Sequence, residues 1–155
     1  MNLTNKAAVF LATGFYIGKI PLAPGTFGSL IGLPLCFLLA EIKLSAAIIA
    51  VLLIIAVAIW ISNVAERTLE LKDPGCIVID EIAGMVVTLI GLPFNLTTAT
   101  IGFILFRILD ILKPFPIRIL DKRLPGGLGI VADDVVAGIF ANVLIRVLAV
   151  FLDIY

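Results

Sequence analysis

The chain has 155 residues, of which 62% are apolar and 14% charged, with eleven basic and eleven acidic side chains and a mean hydropathy of +1.25. A water-soluble domain is about 45–50% apolar and about 25% charged, and a disordered chain combines low hydrophobicity with high net charge. Both classes are excluded outside a large complex, leaving a single membrane-embedded domain over residues 1–155.

Composition also removes several chemistries. The chain contains no histidine, which excludes Ser-His-Asp catalysis, phosphohistidine mechanisms, His-ligated zinc and haem. Cys36 and Cys76 form no CxxC pair, and neither has an arginine six residues on, as a cysteine phosphatase loop requires. A formal net charge of zero speaks against a nucleic-acid surface, which is strongly basic.

In chain order, Ala7–Gly18 is a short apolar run read as an interfacial or re-entrant helix, and Pro21–Gly28 (PLAPGTFG) breaks the chain after it. Phe27–Ala40 follows as a first span, kinked by Gly32 and Pro34. Leu44–Ala65 is a second span: its 22 uncharged residues reach about 33 Å as a helix, enough for a bilayer core. Ile82–Phe94, Thr97–Leu112 and Val135–Ile154 complete an all-α bundle of about five spans. Several are short, which implies local thinning or ends sunk below the headgroups.

Lysine and arginine fix the orientation. Lys6, Lys19, Arg67, Lys72, Lys113, Arg118, Lys122 and Arg123 fall on one side of such a bundle, and Lys43 alone on the other. That bias puts the N-terminus and the 66–81 and 113–134 loops in the cytoplasm. Most acidic residues fall on the same side.

Three acidic clusters lie at that level. Asp80 and Glu81 stand at the mouth of the third span, with Gly84 one turn beyond Asp80. Arg107, Asp110 and Lys113 recur every three residues near the end of the fourth span, so they share one helix face. Pro114 and Pro116 then stop the helix, leaving Lys113 and Arg118 at headgroup depth. In the third cluster, Pro125–Gly129 reads as a flexible glycine loop that delivers Asp133 and Asp134 to the start of the fifth span; Asp134 and Gly138 repeat the Asp80 and Gly84 spacing.

Carboxylates at membrane level are costly and mark function. Oxygen ligands without histidine or thiolate suit Mg²⁺, Mn²⁺ or Ca²⁺. Beside Lys113 and Arg118 they point to a metal-bridged phosphate, and so to phosphoryl chemistry on a lipid headgroup. A small-ion or metabolite transporter is the alternative, but it requires charge near the midplane and at both faces.

The strings PGTFGS (Pro24–Ser29), DPG and IVIDEIAGM (within Asp73–Met85), FRILDILKPFPIR (Phe106–Arg118) and GGLGIVADDVVAG (Gly126–Gly138) resemble the bacterial phosphatidylglycerophosphatase A family. The resemblance implies an inner-membrane, Mg²⁺-dependent phosphatase. Its reaction removes the terminal phosphate of phosphatidylglycerophosphate during glycerophospholipid biosynthesis, with the site on the cytoplasmic face. The matching acids are Asp80, Glu81, Asp110, Asp133 and Asp134, and the matching cations Lys113 and Arg118. Asp80, Glu81, Asp110 and Asp134 are read as Mg²⁺ ligands, with one of them or Asp133 as base or nucleophile. Lys113, Arg118 and Arg107 are read as phosphate holders, and Pro24–Ser29 as a cap folded over the site.

Overall fold

An eleven-residue helix sits at the centre of the molecule, and every one of its residues from Ile82 to Leu89 is buried. The computed structural model describes residues 2–152, whose regular structure is wholly helical. The elements are α1 (Leu3–Ala12), α2 (Pro24–Ala40), α3 (Leu44–Leu69), α4 (Ile79–Leu89), α5 (Leu96–Leu112), α6 (Ile117–Arg123) and α7 (Gly126–Leu152), with a 3₁₀ turn at Ile17–Lys19. The central helix is α4, and α2, α3, α5 and α7 all pack on it. Walled in by these four helices, it has no polar stripe to maintain beyond Asp80 and Glu81 in its first turn; Thr88, the one polar residue from Ile82 to Leu89, turns its hydroxyl back to the Gly84 carbonyl at 2.9 Å.

The closest approach is between α4 and α7. A Cβ on Gly138 would overlap the carbonyl oxygen of Gly84, and one on Gly84 would lie 2.9 Å from the carbonyl oxygen of Asp134. Two missing side chains therefore let the helix backbones touch. Phe106 of α5, fully buried, closes over the crossing, its ring 2.5 Å from where a Gly84 Cβ would stand.

The far end of α4 is held by the same partner. Asn142 of α7 donates to the carbonyls of Thr88 (2.9 Å) and Ile90 (3.0 Å). Arg146 donates to Asn142 Oδ1 (2.8 Å) and to the carbonyls of Ile90 (3.2 Å) and Gly91 (3.1 Å). These carbonyls have no partner within their own helix, so α7 supplies the cap that a polar solvent otherwise would.

Helix ends follow local sequence rules. Pro24 occupies the first turn of α2, where its missing N–H costs nothing. Asn95 Oδ1 accepts from Thr98 N–H at 2.9 Å to start α5, and Lys113, in the left-handed conformation at φ 42°, ends it before Pro114. The N-terminal helix stops at Ala12 rather than Gly18, because Gly14, Phe15 and Tyr16 all take positive φ. Its terminal carbonyl, on Ala12, accepts from Val78 N–H at 2.8 Å, tying α1 to the residue that precedes α4.

Two helices, Leu44–Leu69 and Gly126–Phe151, are long and apolar enough to cross a membrane. Ile49, Leu52, Leu53 and Trp60 of α3 are each more than half exposed, an apolar outer face rather than a core stripe. The other expected spans form as shorter helices: 17 residues in α2 and in α5, and 11 in α4, or about 26 and about 16 Å.

The expected glycine loop is not a loop. Gly126 opens α7, so Asp133 and Asp134 stand two turns inside the helix and are buried. A Cβ on Gly127 would overlap the Ile59 carbonyl and come within 2.5 Å of the Asn63 amide nitrogen. Those glycines serve close packing on α3. A further helix, α6, occupies part of what reads as loop 113–134. The end of the last expected span, 153–154, and the side chains of Asp121 and Lys122 lie outside the described residues.

Gly138→Val is expected to lower stability in detergent by about 1–3 kcal/mol, as overpacking does. Gly75→Ala, where nothing stands within 4 Å of the added Cβ, should melt like the parent. Thermal unfolding of both purified variants checks the contrast.

Candidate active site

The α4–α7 crossing brings two acidic sequences together. Asp80 lies one turn before Gly84 and Asp134 one turn before Gly138, so each stands on the face of its helix that makes the glycine contact, just beyond the crossing. Ligand-type oxygens of Asp80, Glu81 and Asp134 all fall within 4.8 Å of one another. They line a cleft of about 540 Å³ together with Asp110, Lys113 and Asp133. It is also lined by Glu66 from the last turn of α3 and by Lys72 and Asp73 from the α3–α4 connection; Asp73 N–H donates to Glu66 Oε1 at 3.1 Å.

Two cations are distributed among these acids. Arg107 Nη1 donates to Asp110 Oδ2 at 2.5 Å and stands 4.0 Å from Glu81 Oε1. Lys113 Nζ donates to Asp133 Oδ2 at 2.6 Å. Asp80 Oδ1, Glu81 Oε2 and Asp134 Oδ2 are enclosed and have no hydrogen-bond partner among the described residues.

Burial raises the carboxyls of both Asp80 and Glu81 above the usual range, and for Asp80 the adjacent charge of Glu81 adds to the rise. Such a group is stabilised by a proton or by a cation. Three enclosed, unpartnered carboxylate oxygens on three facing side chains meet the donor chemistry of a hard divalent ion.

The cations expected to hold phosphate separate in space. Lys113 lines the acidic cleft. Arg107 is not among the lining residues; it braces Asp110 and Glu81 from behind. Arg118 lies outside the cleft altogether, exposed on α6 in an adjoining groove. Only five positions separate it from Lys113, but the chain turns at Lys113–Pro116 between them.

The structure adds a residue that carries no chemistry of its own. Gly25, in the first turn of α2, packs so closely that a Cβ there would overlap Glu81 Oε1 and lie 2.8 Å from Arg107 Nη1. Ser29 Oγ donates to the Gly25 carbonyl at 2.8 Å and holds this turn. Pro24–Ser29 thus braces the back of the acidic cluster, and the glycine in that string is the signal that could have located the contact. Cys36 is buried and donates to the Met85 carbonyl at 3.5 Å, a core role.

The model of the family described as phosphatidylglycerophosphatase A matches residues 10–149. Phosphatidylglycerophosphatase A of Escherichia coli (strain K12) is 39% identical over 132 residues, covering 84% of this chain and 77% of that protein. The protein of the same name from Haemophilus influenzae is 38% identical over 137 residues, 87% of this chain and 84% of its own length. A Bacteroides thetaiotaomicron protein, provisionally named a phosphatidylinositol-3-phosphatase, is 37% identical over 147 residues, 90% and 91% of the two chains. No solved structure matches the chain.

Gly25→Ala separates site geometry from fold. The atoms it meets are the ends of the Glu81 and Arg107 side chains, which can shift without moving a helix. Its melting temperature should stay near that of the parent, while the reaction rate falls by roughly tenfold or more, as small displacements of reacting groups do. A parallel thermal and kinetic assay reads both.

Proposed function

The chain belongs to the phosphatidylglycerophosphatase A family, a family of phosphoric monoester hydrolases, and on that premise we propose that it dephosphorylates phosphatidylglycerophosphate in the acidic cleft. The products are phosphatidylglycerol and inorganic phosphate, a step of glycerophospholipid biosynthesis. The observation that carries this reading is the trio of enclosed, unpartnered carboxylate oxygens beside Lys113 in one cleft.

A phosphomonoester dianion is repelled by a cleft lined with Asp80, Glu81, Asp110, Asp133 and Asp134 unless a cation intervenes. Asp80, Glu81 and Asp134 would hold Mg²⁺, with Asp110 beside them as a further ligand. When bound, the ion offsets the carboxylate charge and draws electrons from the phosphoryl group. Lys113, steadied by Asp133, places its ammonium on a phosphoryl oxygen. Arg107 keeps Asp110 and Glu81 oriented. The oxygen of a water forms a bond to phosphorus, the bond from phosphorus to the glycerol oxygen breaks, and a cleft carboxylate relays the water's proton towards that oxygen.

The cleft opens at the cytoplasmic face of the bacterial inner membrane, with the bundle crossing the bilayer about five times. Support comes from the lysine and arginine bias of the sequence and from the exposed apolar face of α3. Collection of the acidic residues at one end of the helices is unlike a transport path, which needs groups at the midplane. The name of the Bacteroides relative favours a second substrate reading, a phosphoinositide monoester.

Purified full-length chain in detergent with Mg²⁺ is expected to release phosphate from phosphatidylglycerophosphate faster than from phosphatidylinositol 3-phosphate. Chelation with EDTA should stop release, and added Mg²⁺ should restore it. Asp80→Asn and Asp134→Asn should each lower kcat by roughly a hundredfold or more while remaining folded. Absence of release by the parent protein overturns the reading, and a preference for the phosphoinositide selects the second one.

A further inference from the structure

Beyond the acidic cleft, the elbow between α5 and α6 encloses a groove of about 550 Å³. Its polar lining is Lys113, Arg118 and Arg123, and its apolar lining includes Leu112, Phe115 and Ile119; no carboxylate is among the described lining residues. Lys113 lines both cavities, so the two adjoin at this residue. Among the described residues charge is therefore sorted: carboxylates on one side of Lys113, guanidinium groups on the other.

Arg118 and Arg123 are exposed and have no ion pair among the described residues. Arg118 is the second and Arg123 the last residue of the seven-residue α6, so both are carried on one short helix directly after the turn that ends α5. Phe115 is 81% and Leu112 71% exposed. Apolar side chains left in the open in the same groove as two guanidinium groups match a ligand that is anionic at one end and greasy at the other.

We propose that this groove holds the phosphodiester of the lipid substrate, with Arg118 and Arg123 on its anionic oxygens and Phe115 and Leu112 against the adjoining acylglycerol. The proposal rests on the phosphatase reading above and deepens it. A substrate with two phosphates joined by one glycerol then straddles Lys113, its monoester in the cleft and its diester in the groove. Continuity of the cavities and complementarity of charge both favour this occupant over a protein partner. Arg118 and Arg123 become specificity residues, selecting a monoester that has a phosphodiester one glycerol away.

The test compares the parent with Arg118→Gln/Arg123→Gln in two assays. In the first, KM for phosphatidylglycerophosphate in mixed micelles is expected to rise about tenfold, the effect of losing charge-assisted hydrogen bonds, with kcat little changed. A fall in kcat at unchanged KM would assign the arginines to the cleft and overturn the proposal. In the second, calorimetry reads binding of dihexanoyl phosphatidylglycerol, which has the diester and no monoester. Affinity should fall about tenfold in the double variant and recover in part with Arg118→Lys/Arg123→Lys. Equal affinity in parent and double variant overturns the proposal. Should the parent fail to hydrolyse phosphatidylglycerophosphate, the phosphatase reading falls, and the calorimetric result alone decides whether the groove binds a phosphodiester.

Discussion

Contact between two helix backbones at Gly84 and Gly138 determines where everything else in this protein can stand. Side chains normally keep helix axes about 8–10 Å apart; here neither helix has a Cβ at the crossing. The approach gives each glycine a carbonyl oxygen of the other helix as neighbour. It also aligns the residues one turn earlier, Asp80 and Asp134, whose carboxylates would stand apart at an ordinary interhelical distance. The site is thus a by-product of a packing solution suited to lipid, where apolar side chains gain little from meeting and close van der Waals contact has to hold helices together.

Such closeness has an electrostatic cost. Three carboxylates sharing oxygens within 4.8 Å repel one another, and burial increases the effect by removing water. The structure offsets part of this with Arg107 and Lys113, each anchored on an acid at the edge of the trio rather than at its centre. At the centre itself, no basic side chain among the described residues pairs with the three unpartnered oxygens. A site arranged in this way is rigid in its backbone and incomplete in its charge, the combination expected where an ion and a phosphate must enter together.

Much of this was legible from residue order. Hydropathy located five of the helices to within a few residues of one end or both, and the Asp-x-x-x-Gly spacing repeats on the two helices that the structure shows to cross, though the spacing alone did not pair them. The glycine-rich stretch Gly126–Gly129 misled because glycine lowers helix propensity; here close packing on Ile59 and Asn63 outweighs that cost. Arg118 was grouped with Lys113 because they are neighbours in sequence, yet the left-handed turn at Lys113 sends the chain into α6 and away from the cleft. Gly25 carried only the signal of a glycine in a conspicuous string, with no functional group to suggest a role. Its importance lies in what it lacks, and only the position of Glu81 and Arg107 makes that absence matter.

The cap on the far end of α4 bears on how the protein is made. Ile90 and the residues that hold its carbonyl are 52 positions apart for Asn142 and 56 for Arg146. A ribosome therefore finishes α4 well before the groups that complete its hydrogen bonding have been synthesised. Until α7 arrives, those carbonyls must find water or headgroups, and an eleven-residue helix cannot rest across a bilayer by itself. In the proposed membrane arrangement, the docking of this central helix therefore waits for α7. Without α7, Asp80 and Glu81 of α4 would lack the helix that encloses them and caps the far end of their own.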